Sequence, residues 1–258
     1  VTPEDEARAL VRLLWRQEPV RSVAKKGPKQ RLSLDSVIDV ATEHADARGL
    51  DALTMRALAD ELGVGPMTVY TYVPTRDVLV SLMVDRVAAQ EREPVRAVLL
   101  RESLADAVRA MHAGYLAHPW LLHVPPWRDV LGPGRLRRYE AQLGLIEDLP
   151  IADVQRDGLL ALLGVFAAGS ARDAAAARAA SASGFSDDQW WQVVGPELAA
   201  AMPSGAFPLS SRVGTAVGEH YSAPGDPSAG FELGLTVLLD GVEAWLANGA
   251  VGPVGSAG

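Results

Sequence analysis

Apolar residues recur along this chain at spacings of three and four, and no run alternates with a period of two between hairpin turns. That pattern predicts an all-α protein. Glu4 to Arg16 places Leu10, Leu13 and Leu14 on one face of a short helix, and Gly27-Pro28 breaks any continuation. Ser33 is placed to cap a second helix with Leu34, Val37, Ile38, Ala41 and Ala45 as its apolar stripe and Gly49 as its stop. Thr54 caps a helix of barely two turns, on which Leu58, Ala59 and Leu62 face inward, and Gly63 supplies the left-handed residue that ends it. Gly65-Pro66 starts another, with Pro66 at the first helical position, where a missing N–H costs nothing, and Val73-Pro74 closes it. Thr75 caps a longer helix to about Gln90, with Asp77 in its first turn and Leu79, Leu82, Met83 and Val87 facing inward.

Beyond Pro94 the helices lengthen and are separated by proline-rich corners at His118-Pro119, Val124-Pro125-Pro126, Gly132-Pro133-Gly134 and Leu149-Pro150. Ile151 to about Ser181 reads as one long helix, apolar on more than one face, which calls for neighbours on two sides. A closing helix, Ser228 to Leu246, carries Phe231, Leu235, Leu238, Leu239, Val242 and Trp245. The organisation expected is therefore an N-terminal helix and basic arm over 1–31, a helical domain over 32–90, a second domain over 91–248 and a Gly/Ala tail over 249–258.

Composition narrows the function. The chain has 258 residues and no cysteine, which excludes disulfide scaffolds, thiolate zinc sites and cysteine nucleophiles. The absence of cysteine suits a reducing cytoplasm, the expected location. The longest uncharged stretch, Ala110 to Trp127, is interrupted by histidines and prolines, so no segment is expected to cross a bilayer. Net charge is −8, which on its face argues against a nucleic-acid partner. The charge is unevenly spread. Residues 1–92 hold 13 Lys and Arg against 14 Asp and Glu, while the remainder holds 11 against 18. All three lysines, Lys25, Lys26 and Lys29, lie between Arg21 and Arg31 with no acid among them. This arm either contacts DNA or serves as a solvated linker.

The segment Leu53 to Leu79, LTMRALADELGVGPMTVYTYVPTRDVL, reads as two short helices joined by Gly63-Val64-Gly65. That is a helix-turn-helix, whose second helix is sized for a major groove and exposes Met67, Thr68, Thr71 and Tyr72 while Val69 turns inward. A tight helical corner can also be a plain packing unit.

On these residues the chain resembles the TetR family of bacterial transcriptional regulators. The likeness runs from the helix Leu34 to Arg48 through Leu53-Thr54-Met55-Arg56, Ala59 to Val64, Thr68-Val69-Tyr70, Tyr72-Val73 and Arg76-Asp77-Val78-Leu79. His118-Pro119-Trp120-Leu121 and Phe231 to Gly241 are similar to the ligand domain and dimerisation helix of the tetracycline-repressor subgroup. The resemblance implies phosphate contacts at Thr54, Tyr70 and Arg76, and points Arg56, Pro66, Met67, Thr68 and Tyr72 at the groove. It also implies that the Lys25, Lys26, Lys29 and Arg31 arm lies along the DNA. Arg76 stands where the family usually has lysine, and either cation serves a phosphate.

The resemblance further implies a ligand-gated homodimer on a double-stranded operator, with helices near 151–181 and 228–248 pairing as a four-helix bundle. An amphipathic or aromatic effector is expected among His112, Tyr115, Trp120, His123, Trp127, Tyr139, Phe166, Trp190 and Trp191, each of which can equally be a core residue. Arg92 occupies the place of a histidine of the tetracycline repressor itself, so tetracycline is not the implied effector. No cofactor or metal is expected, since the five-residue spacing of His118 and His123 makes no helical ligand pair. P-loop, HExxH and GxSxG patterns are absent, and no enzymatic activity is expected. The rival reading is a helical small-molecule-binding or enzymatic protein whose helix-turn-helix is only structural.

Overall fold

A computed structural model describes residues 3–16, 32–125, 130–182 and 184–250. Among them are eleven α-helices and no strand. They are α1 (Pro3–Leu14), α2 (Leu34–Arg48), α3 (Met55–Leu62), α4 (Pro66–Tyr72), α5 (Arg76–Gln90), α6 (Leu100–Ala117), α7 (Pro133–Gly144), α8 (Asp153–Ser181), α9 (Asp187–Ala201), α10 (Pro208–Tyr221) and α11 (Pro227–Ala247). The all-α expectation holds. Two short 3-10 turns, Leu50–Ala52 and Pro119–His123, were not foreseen, because three to five residues cannot display a helical repeat. The basic arm and Trp127 lie outside the described residues.

Local chemistry sets the helix ends. Ser33 accepts the Ser36 N–H while Ser36 returns its hydroxyl oxygen to the Ser33 N–H, a reciprocal cap on α2. Thr54 and Thr75 accept the N–H groups of Ala57 and Val78 at the starts of α3 and α5. Gly63 adopts φ +65°, the left-handed conformation that ends α3.

The chain packs as two compact units, Val1–Leu162 and Leu163–Gly258, the division falling within α8. In the first, α2 to α5 enclose a core in which Val37, Ile38, Leu53, Leu58, Val69, Leu79 and Met83 are buried. The N-terminal helix α1 adds Leu14 to this core, with Leu10 and Leu13 packed against it. The same residue of α5 that faces α7, Asp85, is buried and accepts the Arg135 backbone N–H at 2.9 Å, capping the start of α7. A side chain at Gly132 would land on the Asp85 carboxylate, and one at Gly134 on the Asp85 carbonyl oxygen, so Gly-Pro-Gly is what lets α7 lie against α5. This close approach ties α7 to the first unit, although the sequence reading begins a second domain at residue 91.

In the second unit Phe166 stacks on Phe231 with ring centres 5.6 Å apart, and Trp191 lies over Gly218. On α11 the residues Phe231, Leu235, Leu239 and Val242 are buried. Length and composition qualify α8 as a possible membrane span, a case missed by counting uncharged stretches alone. Its Leu159, Leu163, Ala167 and Ala171 form a buried stripe at spacings of four, the habit of an amphipathic helix.

Replacing Gly134 by alanine should force α5 and α7 apart and destabilise the fold by about 1–3 kcal/mol, the usual cost of overpacking. Gly158→Ala, where nothing lies within 4 Å of the added methyl, should stabilise by roughly 0.5–1 kcal/mol through helix propensity. Urea denaturation of both variants checks the pair, and equal effects would show that the close approach carries no strain.

Candidate nucleic-acid interface

Helices α3 and α4 meet at Gly63-Val64-Gly65, and the buried Val69 pins α4 to the core by its inner face. Its outer face is consequently fixed. Met67 is 76% exposed and Tyr70 44% exposed, and Pro66, Thr68 and Thr71 are exposed beside them. Arg56, in the first turn of α3, is exposed as well. A methionine, a threonine methyl and an arginine on one exposed surface can touch thymine methyls and the acceptor pair of guanine. The Thr54 hydroxyl spends a lone pair on the Ala57 N–H, which leaves its own proton to donate to a phosphate. Thr71 gives its proton to the Thr68 carbonyl at 2.6 Å and retains acceptor capacity only.

Two of the expected DNA contacts have internal work. The Tyr72 hydroxyl donates to the Leu32 carbonyl at 3.2 Å, tying the end of α4 to the residue before the Ser33 cap of α2. Arg76 donates from Nε to the Leu53 carbonyl at 2.8 Å and from Nη2 to the Leu50 carbonyl at 2.6 Å. It clamps the 3-10 turn that delivers Thr54 and Arg56. Neither role shows in the sequence, because the partners lie 23 to 40 residues away.

Further polar ties fix this scaffold. His44 is buried between the Glu61 carboxylate at 2.8 Å and the Ala52 carbonyl at 3.2 Å, joining α2 to α3 and the turn. Arg86 grips both oxygens of Asp39, and Arg16 holds Asp35, so α5, α2 and the end of α1 are linked. The Trp15 indole N–H reaches the Leu131 carbonyl at 3.0 Å.

The aromatic residues expected around an effector stand in different local settings within each unit. Trp120 is 1% exposed, packs into the core of the first unit and donates its indole N–H to Asp46 at 2.8 Å; it belongs to the scaffold rather than to a pocket wall. His123 is exposed, and His112 and Tyr115 are half-buried on α6. Tyr139 donates to Asp157 at 2.8 Å, a bond that, with partial burial, raises its phenol above the ordinary range. Phe166 and the stacked pair Trp190 and Trp191 lie in the second unit. The Trp120 misplacement has a plain cause: a tryptophan in a conspicuous motif looks the same whether it lines a cavity or fills a core.

Residues 37–83 match the model of bacterial regulatory proteins of the tetR family, and residues 97–246 match the tetracyclin repressor-like C-terminal domain. The chain belongs to the tetR family. It is 34% identical over 252 residues to the HTH-type transcriptional repressor DrrR1 of Streptomyces coeruleorubidus, covering 95% of this chain and 88% of that one. The crystal structure of apo ActR from Streptomyces coelicolor superposes with a TM-score of 0.68 at 26% identity, over 86% of this chain and all of ActR (100%). ActR in complex with actinorhodin gives 0.67 at 27% identity, over 85% and 99%. Membership in the tetR family makes the protein a DNA-binding transcriptional regulator and sets aside the reading in which the helix-turn-helix is only structural.

Arg76→Ala leaves two carbonyls without their donors and should lower stability by about 1–3 kcal/mol, whereas the exposed Arg56→Ala should stay within about 0.5 kcal/mol of the parent. Chemical denaturation of the two variants decides the matter. Equal stability would remove Arg76 from the scaffold and return it to the phosphates alone.

Proposed function

We propose that this protein is a homodimeric repressor that holds a two-fold symmetric operator with one α4 per subunit and lets go when a small amphipathic or aromatic molecule binds. The observation that carries the reading is the sidedness of α4: Val69 fully buried, Met67, Thr68 and Tyr70 exposed, and Arg56 exposed at the start of α3. In this reading Arg56, Pro66, Met67, Thr68 and Thr71 face the base edges, Thr54 and Tyr70 meet phosphates, and Tyr72 and Arg76 hold those groups in place. Lys25, Lys26, Lys29 and Arg31 add phosphate contacts, which offsets the net acidity of the chain. Residues 32–90 then act as the DNA-binding domain and 91–248 as the effector and dimerisation domain.

The dimer is supported by a second apolar stripe on the helices that carry the core. On α11, Leu233 and Val237 are 68% and 61% exposed one turn apart, and on α8 Leu162 and Val165 are exposed three residues apart. Pairing these faces with a second copy buries them in a four-helix bundle, and a two-fold operator presents successive major grooves about 34 Å apart to the two α4 helices. Repression is supported by the relative named as a repressor, and ligand response by the ActR complex with actinorhodin. An effector shifts the equilibrium only by its differential affinity for the two conformations, so it must bind better to the one whose recognition helices no longer fit the operator. α5, which packs on both α2 and α7, is the lever between the two functions.

Selection from random duplexes followed by sequencing should enrich a two-fold symmetric site. Arg56→Ala combined with Tyr70→Ala should abolish that enrichment, and affinity for the selected duplex should fall steeply with salt. A pool that stays unenriched at low and moderate salt would sink the operator reading.

A further inference from the structure

We propose that Asp46 is the joint through which a molecule held between α5 and α6 alters the pose of the DNA-binding helices, with His118 as the residue that senses it. The inference rests on the regulator reading above and assigns its coupling to particular atoms. One carboxylate oxygen of Asp46, on α2, accepts two hydrogen bonds of 2.8 Å, from the His118 ring Nδ1–H and from the Trp120 indole N–H. These donors flank Pro119 in the corner after α6, more than 70 residues along the chain. Trp120 is locked into the core, so it fixes the corner against α2. His118 is different, because its ring also walls a cleft.

That cleft has a volume of about 460 Å³, within the size of small-molecule sites. It lies between the end of α5 and the face of α6, with Arg92 and Arg109 toward one end and His118 at the other. From Arg109 to His118 the helix axis advances about 13 Å at 1.5 Å per residue. Arg92 is held at 2.6 Å by Asp106, and Glu91 on the same rim is neutralised by Arg138 at 2.7 Å. Guanidinium groups at one end and a wall of Ala110, Ala113 and Ala117 suit an elongated planar molecule with an electron-rich or anionic edge. An occupant that reaches the far end pushes on the His118 ring and competes for its bond to Asp46. Asp46 then loses one of the two hydrogen bonds it accepts from the corner, and α2 packs on α3, α4 and α5.

The absence of cysteine makes the test direct. Ala113→Cys puts one thiol on the exposed floor of the cleft, and pyrene maleimide attached there acts as a covalent occupant, with complete labelling verified by mass spectrometry. Affinity for the selected duplex should fall about tenfold on labelling, within the usual span of allosteric coupling. The same label on Val98→Cys, 99% exposed and away from the cleft, should leave it unchanged. In an Asp46→Asn background, and separately in His118→Ala, the ratio of labelled to unlabelled affinity should shrink toward one. A merely structural Asp46 would change both affinities equally and leave that ratio at its parent value, which overturns the joint. Loss of affinity on labelling that persists undiminished in both backgrounds overturns it as well, as does labelling at Ala113→Cys without effect. If no duplex is selected, the regulator reading itself falls first.

Discussion

Everything in the first unit depends on α5 being packed from two sides at once. Leu79, Leu82, Met83 and Val87 belong to the core beneath the helix-turn-helix, while Asp85 and Ala89 face the Gly132-Pro133-Gly134 start of α7 at backbone distance. A helix held this way can shift only by disturbing one packed face or the other. Close-packed interiors have discrete arrangements rather than a continuous range, which is what a switch requires. The buried Asp85 carboxylate contributes to the same constraint: it is tolerable where the Arg135 N–H of α7 meets it, and α7 cannot move away without stranding a charge.

The acidity of the chain follows the same economy of placement. Several acids near the helix-turn-helix are engaged: Asp35 and Asp39 with Arg16 and Arg86, Glu61 with Arg48 and the His44 ring. Surface pairs of this kind contribute little stability, on the order of 1 kcal/mol or less each. Their larger effect is local neutralisation around α2, while Asp51, Asp60 and Asp77 stay exposed beside Arg56 and the hydroxyls of α4. The positive charge that binding DNA requires therefore falls to Arg56 and to the Lys25, Lys26, Lys29 and Arg31 arm.

The helix-turn-helix was legible in the sequence because each of its devices is local. Ser33, Thr54 and Thr75 are caps read from three or four neighbouring residues, Gly63 is a single left-handed position, and Val69 is marked by its place in a helical repeat. The rest is set by contacts between distant residues. The Tyr72 bond to Leu32, the Arg76 clamp on Leu50 and Leu53, and the Asp46 meeting with His118 and Trp120 have no periodic signature. The motif His118-Pro119-Trp120 was conspicuous, but only the fold shows that its tryptophan faces the core while its histidine faces a cleft. One clue was available in principle: a buried indole N–H needs an acceptor, and an acid at the end of α2 supplies it.

A division of labour between Trp120 and His118 also accounts for how a tie can be both firm and releasable. Truncating a buried tryptophan typically costs about 3–5 kcal/mol, so the corner stays docked on α2 whatever happens in the cleft. A single hydrogen bond from a half-exposed histidine is worth about 1–3 kcal/mol when the acceptor is charged, which matches the coupling energies by which effectors shift binding equilibria. If both donors were buried, an occupant of the cleft would have nothing to act on; if both were exposed, the corner would have no fixed pose to change. The unequal burial of two donors on one carboxylate oxygen confines the adjustable part of the energy to the side chain that a ligand can touch.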